Sequence, residues 1–210
     1  MAYLVLVRHG QSDWNALGLW TGLTDISLTE EGREEARRAA AVLGDVKLDE
    51  AYTSRLKRAH QTLDEIQQAL DVPNIPVHED AALNERDYGE LTAKNKWDIQ
   101  REYGDEQFLK WRRSWDYPIP NGESLKDVYA RVVPYYEQHI LPDLKAGKNV
   151  IVAAHGNSLR ALVKHLENIS DEAIPKLEIG TGEVYVYNVD DDGKILSKQI
   201  RATNPNTGRQ

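Results

Sequence analysis

Two short apolar runs in this chain end in the same way. Tyr3-Leu4-Val5-Leu6-Val7 leads into Arg8-His9-Gly10, and Val150-Ile151-Val152-Ala153-Ala154 leads into His155-Gly156. Runs of this kind read as buried parallel strands. The Gly after each His lets the backbone turn sharply and pass close to a ligand. Open α/β sheets place their binding crevices at the carboxyl ends of such strands. The repeated unit therefore predicts an α/β sheet with two histidines, one of them preceded by an arginine, at strand ends.

The remaining pattern alternates strand and helix, which favours α/β over α+β. Residues 10–28 form a long loop rich in Gly, Asn, Asp and Trp, and loops of that length are commonly functional. A helix over 30–43 has Thr29 as N-cap and Gly44 as stop. Residues 50–53 read as a strand, and Ser54 is placed to cap a helix running to Leu70. Arg55, Lys57 and Arg58 fall in its first turn, where cations oppose the helix dipole. A solvated face accounts for Lys57; Arg58 stays open to a functional role. Residues 73–80 are extended and Pro-rich, a third strand. Short helices are expected around 94–115, in a polar and aromatic stretch ended by Pro118, Pro120 and Gly122. A long helix over 124–145 contains Pro134, which should kink it. A strand at 149–154 and a helix at 157–167 follow. The strand from Glu183 to Val189 turns at Asp191-Asp192-Gly193 and returns from Ile195 to Ile200. No linker divides the sequence, so residues 1–210 are expected to form one domain, with 204–210 a polar mobile tail.

Composition excludes several chemistries. The 210 residues contain no cysteine, so disulfides, thiolate catalysis and cysteine-ligated zinc are ruled out. No signal peptide and no membrane-length apolar stretch is evident, which predicts a cytoplasmic protein with no membrane partner. A formal net charge of −8 argues against nucleic acid as a partner. If the ligand is an anion, the chain's cations must be gathered locally.

Two histidines at strand ends suit few tasks. A metal site needs carboxylates or further histidines nearby. Here Arg8 adjoins His9, and Arg160 lies one helical turn beyond His155. A fixed guanidinium disfavours a bound cation and favours a bound anion, so phosphate is preferred and no metal is expected. With a reference pKa of roughly 6.5, a histidine in a phosphate pocket is largely neutral and has one lone pair with which to attack phosphorus. Charge then develops on the equatorial phosphoryl oxygens, which Arg8, Arg58 and a protonated His155 could meet. The reacting alcohol also needs a proton donor or acceptor, a carboxyl group in an otherwise cationic pocket.

The strings LVRHGQSDWN, YTSRLKRAHQT, LNERDYGEL, WRRSWD and AAHGNSLRALVKHLE together resemble the cofactor-dependent phosphoglycerate mutases of the histidine phosphatase superfamily, from residue 3 to about 189. RHG alone points only to the superfamily. The resemblance implies a three-layer α/β/α sandwich with a mostly parallel central sheet. It implies interconversion of 2-phosphoglycerate and 3-phosphoglycerate in glycolysis and gluconeogenesis, through a phosphohistidine primed by 2,3-bisphosphoglycerate. It makes His9 the phosphorylated residue, Arg8, Arg58 and His155 its clamp, and Glu85 the general acid/base. Glu85 without the motif would read as a surface carboxylate. Substrate contacts are implied for the run Gly10, Gln11, Ser12, Asp13, Trp14 and Asn15, and for Thr21 and Gly22. Arg86 and Asp87 are implied as substrate contacts too, Tyr88, Lys96, Arg112 and Arg113 at the far end of the glycerate, and Gly156 and Asn157 beside the second histidine. Adjacent arginines on an ideal helix diverge by about 100°, so Arg112 and Arg113 can share a ligand only near a helix end or in a lid. Longer family members carry an insertion between the Arg-Arg segment and the next helix. Its absence here, with a short tail, leaves a homo-oligomer, a dimer or a monomer open.

Overall fold

The computed structural model describes residues 1–204. Among these, strands β1 (Ala2–Arg8), β2 (Glu50–Thr53), β3 (Val77–Glu79), β4 (Val150–Ala154), β5 (Val184–Val189) and β6 (Ile195–Ala202) form one sheet in the order β3-β2-β4-β1-β5-β6. The four strands β3, β2, β4 and β1 run parallel, while β5 is antiparallel to β1 and β6 to β5. The sheet is thus mostly parallel, as expected.

The helices are α1 (Asp13–Ala16), α2 (Glu30–Ala41), α3 (Lys57–Ala69), α4 (Lys96–Arg113), α5 (Leu125–Tyr135), α6 (Leu141–Lys145) and α7 (Gly156–Glu167). Alternation along each strand sends side chains to opposite faces. Val5, Val7, Ala51, Ile151, Ala153, Val184 and Val186 pack with Ala36, Ala39 and Leu43 of the α2 region and Leu63 and Ile66 of α3. Leu4, Leu6, Tyr52, Val150, Val152, Tyr185 and Tyr187 pack on the other face with Val128 and Val132 of α5, Leu144 of α6 and Leu159 and Leu162 of α7. The result is the three-layer arrangement. A third cluster, Trp20, Leu91, Ile99, Phe108 and Ile119, lies under α4.

Several local expectations change. Ser54 does not cap α3. The N-cap is Leu56, without a side-chain bond, and Arg55 precedes the helix. Helix α4 is broken at Gly104, whose φ of 81° interrupts the helical backbone. Pro134 lies inside α5, and the helical run continues through a π-helical turn, Tyr136–Ile140, into α6. Pro134 has no N–H to give the ladder, and the helix widens just after it. Strand β5 lies between β1 and β6, so five of its six residues are buried. In the segment expected to be a mobile tail, Asn204 is held: its amide nitrogen donates to Glu35 (2.8 Å) and to the Thr181 carbonyl (3.0 Å). Residues 205–210 lie outside the described residues. None of the described helices is long and apolar enough to cross a membrane.

Candidate active site

Strands β1 and β4 are hydrogen-bonded neighbours, so their terminal histidines meet. The His9 N–H donates to the Ala154 carbonyl (2.9 Å), and the two imidazole rings stand edge to face with centroids 4.9 Å apart. His9 is 2% exposed and His155 0%. His9 Nδ1 lies 2.7 Å from the Gly10 carbonyl oxygen. A carbonyl only accepts, so Nδ1 carries the proton and Nε2 the free lone pair. The Gly10 N–H donates to Thr62 Oγ1 (3.1 Å), and that hydroxyl donates to the Arg58 carbonyl (2.8 Å). The nucleophile loop is thereby tied to the first turn of α3. It is also pressed against α2: a Cβ on Gly10 would lie 2.0 Å from the Gly32 carbonyl oxygen, and one on Gly32 2.1 Å from that of Gln11.

Arg58, 1% exposed, donates from Nη1 to the Thr24 carbonyl and from Nη2 to the Gly22 carbonyl, both at 2.8 Å. Arg8 donates from Nη1 to the Ile179 carbonyl (2.6 Å). Among the described residues neither guanidinium has an ion pair at this end. Burial, then Arg58, then Arg8 hold the His9 pKa well below its usual range. Burial, Arg58 and His9 do the same to His155. His155 is therefore a neutral donor here, not the protonated one its sequence context suggested. Its Nε2 lies 2.7 Å from Ser54 Oγ, which already accepts from the Leu56 N–H (3.2 Å). Ser54 has a second lone pair, so the proton of this bond belongs to either partner, and with it the tautomer of His155.

Glu85 enters from the segment between β3 and α4 and meets the start of α7. One carboxylate oxygen accepts from the Arg86 N–H (2.7 Å) and the Asn157 N–H (3.2 Å). The other, Oε2, lies 3.7 Å from where a Cβ on Gly156 would be. Arg131 fixes this segment by donating to the carbonyls of Ala82 (2.7 Å), Asn84 (3.0 Å) and Glu85 (3.0 Å) while pairing with Glu123.

A cleft of about 640 Å³, counted with its solvent-open mouth, joins these groups to a second set of cations. Its wall includes Arg8, His9, Asn15, Thr21, Gly22, Arg58, Glu85, Tyr88, Lys96, Arg112, Arg113, Gly156 and Asn157, all expected from the sequence. Arg112 and Arg113 both reach it because they end α4, the exception the helix geometry required. Arg113 pairs with Glu178, and Arg112 lies 3.9 Å from the same carboxylate. Lys96 is buried, and burial followed by Arg112 and Arg8 pushes its pKa down to about 7.

The other expected residues stand behind the wall. Gly10 holds His9. The Gln11 N–H donates to Glu35 (2.7 Å), Ser12 caps α1 in a capping box with Asn15, and Asp13 lies in that helix's first turn, followed by Trp14. Asp87 accepts from the Gly89 N–H (2.8 Å), and Arg86 is buried under Tyr88, its guanidinium 4.8 Å from the ring centre. Trp20, Arg160, Glu178 and Ile179 also line the cleft; of these the sequence singles out only Arg160, as a cation that favours an anion. Glu178 and Ile179 follow α7 in an irregular segment with no motif to flag them.

Four buried donors in the wall of this cleft have no partner, Arg8 Nε, Trp20 Nε1, Thr21 Oγ1 and Arg58 Nε, and neither has the ring nitrogen Nδ1 of His155 behind it. Orphaned buried donors are costly, and an anion would satisfy them. The group best arranged for a metal, Glu50, His78 and Asp143, lies elsewhere, on and beside β2 and β3. There Lys148 already bridges Glu50 (2.7 Å) and Asp143 (2.9 Å).

Residues 4–200 match the model of the histidine phosphatase superfamily (branch 1). The chain is 52% identical over 197 residues to a 2,3-bisphosphoglycerate-dependent phosphoglycerate mutase of Bradyrhizobium diazoefficiens, covering 93% of this chain and 95% of that one. It is 52% identical over 198 residues to the protein of the same name from Nitrobacter winogradskyi, covering 93% and 95%. Among solved structures, a mycobacterial glucosyl-3-phosphoglycerate phosphatase in complex with VO3 superposes with a TM-score of 0.82 at 26% identity, covering 97% of this chain and 99% of that chain.

Proposed function

The chain belongs to the histidine phosphatase superfamily (branch 1), and on that footing we propose that it interconverts 2-phosphoglycerate and 3-phosphoglycerate through a phosphorylated His9. The observation that carries this reading is two sets of cations on one cleft. Arg8 and Arg58 lie close enough to His9 to depress its pKa, and Lys96, Arg112 and Arg113 line the same cleft from the first and last residues of α4. A phosphatase for a one-ended ester would need only the first set. A phosphoglycerate has an anion at each end.

When bound, 2,3-bisphosphoglycerate supplies the phosphoryl group that charges His9, and the orphaned donors near His9 together with the cations at the far end fit its two anionic ends. The chain's own residues do the rest. The Gly10 carbonyl keeps the His9 proton on Nδ1, so that Nε2 bonds to phosphorus. In the forward step the substrate hydroxyl oxygen attacks phosphorus, the P–Nε2 bond breaks, and its electron pair returns to Nε2. The hydroxyl proton passes to Glu85 Oε2. In the return step Nε2 attacks the other phosphoryl group, the P–O bond breaks, and Glu85 gives the proton back to the departing oxygen. Arg8 Nε and Arg58 Nε are the free donors for the equatorial oxygens, and His155 supports them from beside the His9 ring. This account asks for no metal.

The test is to incubate the protein with 2,3-bisphosphoglycerate and follow conversion of 3-phosphoglycerate to 2-phosphoglycerate in EDTA. Isomer should form in the chelator. Inorganic phosphate appearing faster than isomer would instead place the protein functionally with phosphatases such as its mycobacterial structural neighbour.

A further inference from the structure

Arg160 is 3% exposed, and no carboxylate pairs with it among the described residues. It donates from Nε to the Leu177 carbonyl (3.0 Å), from Nη2 to the Ile174 (3.0 Å) and Arg113 (3.1 Å) carbonyls, and from Nη1 to Asn157 Oδ1 (2.9 Å). A guanidinium has donors only, so it dictates which way the Asn157 amide faces. With Oδ1 turned to Arg160, Nδ2 must point away, and it donates to the Tyr88 hydroxyl oxygen (2.8 Å). That oxygen is now an acceptor toward Asn157, so its own proton is left for the cleft that Tyr88 lines. The chain of donors therefore has one direction: Arg160 to Asn157 to Tyr88 to ligand.

Arg160 also acts on the neighbouring cations. The last carbonyls of α4 have no partner inside the helix and carry its negative pole. Arg160 takes that of Arg113, while Arg86 Nη2 takes those of Trp111 (2.8 Å) and Arg112 (3.4 Å). Two buried guanidinia thus pin the helix end from which Arg112 and Arg113 reach the ligand. Burying a guanidinium without a counter-ion is costly, and its neighbours Arg86 and Arg113 add repulsion. Ordinary core packing gives no return for that cost.

We propose that Arg160 is a positioning residue that polarises the Asn157–Tyr88 relay and sets the Arg113 backbone, so that the far end of the cleft selects phosphoesters bearing a second anion. The proposal rests on the mutase reading of the cleft.

Asn157→Asp tests it with little change of shape. Aspartate still accepts from Arg160, but it cannot donate to Tyr88, whose proton must then turn toward it and away from the ligand. KM for 3-phosphoglycerate should rise about tenfold, the worth of one hydrogen bond to a charged group, and the loss in kcat/KM should exceed that on p-nitrophenyl phosphate by a similar factor. Tyr88→Phe should raise KM in the native background and add little in the Asn157→Asp background. Arg160→Lys, which keeps the charge but not the fork of donors, should shift the same ratio. Equal losses on both substrates, or an undiminished Tyr88→Phe effect in the aspartate variant, would overturn the proposal. If Arg160→Lys lowers the thermal midpoint, the Asn157→Asp cycle still decides. A native protein that neither isomerises nor binds 3-phosphoglycerate in calorimetry sinks the mutase reading itself. Native activity with an unchanged substrate ratio in the variants sinks only the role of Arg160.

Discussion

At the His9 end of the cleft the nucleophile, the second histidine and the two arginines hang from strand ends or from the first turn of α3, which packs on the sheet, and only Glu85 comes from the segment between β3 and α4. At the Arg112 end the cations hang largely from α4, a helix interrupted at Gly104 and resting on its own small apolar cluster. The near end keeps its donors unpaired and held through backbone carbonyls. At the far end Arg113 is partly neutralised by Glu178, and the helix is fixed by buried caps. The difference divides the labour. A rigid, unsatisfied near end meets charge that appears only during transfer, and a separately mounted far end decides which molecule is held there.

The division is tested first where the effect is largest. His9→Ala should lower turnover by about 10^4-fold or more, as removal of a nucleophile does, with no acid-labile phosphoenzyme. Persistent labelling would mean that another residue carries the phosphoryl group. Next, Gly10→Ala drives a methyl into the Gly32 carbonyl and should cost about 1–3 kcal/mol or more of stability. Scanning calorimetry and kcat should fall together, and an unshifted thermal midpoint would show that the near end is not rigid. Arg112→Ala should raise KM for 3-phosphoglycerate about tenfold to a hundredfold, the range for a lost charged hydrogen bond. The loss on p-nitrophenyl phosphate should be at least several-fold smaller, and equal losses would erase the distinction between the two ends. The smallest effect is on pH. Lys96, pushed down to about 7 by its burial and the arginines, binds an anion only when charged. A bound anion raises that pKa, so affinity for 3-phosphoglycerate should weaken as pH rises above about 7, by up to about tenfold per unit. Binding at pH 8 should then take up a proton, visible as a buffer-dependent heat. Lys96→Arg should flatten the slope, and a native slope equally flat would show Lys96 charged throughout.

The near end was legible because its signals are local. An apolar run ending in His-Gly states both the strand and the turn, and twice over it places two rings side by side. The run from Gly10 to Trp14 has a second duty that the sequence does not show: a loop must satisfy its own backbone. Gln11 is therefore spent on Glu35, and Ser12 on the start of α1. Ser54 has the sequence of a cap, yet the pairing of β2 with β4 brings it to His155, a demand that no local pattern reveals. Glu85, Arg112 and Arg113 were reached only through the family resemblance. Glu178 and Arg131 needed the fold, since their partners are far away in sequence.

Strand β1 exchanges hydrogen bonds with β4 along one edge and with β5 along the other. Each of its amides is freed only when the ladder that holds it parts, and parting either ladder at the middle of the sheet means opening the whole molecule. In amide hydrogen exchange, Leu4 to Val7 would then report the global unfolding free energy. The nucleophile is thus mounted on an internal strand of the sheet, and its alignment lasts as long as the protein stays folded.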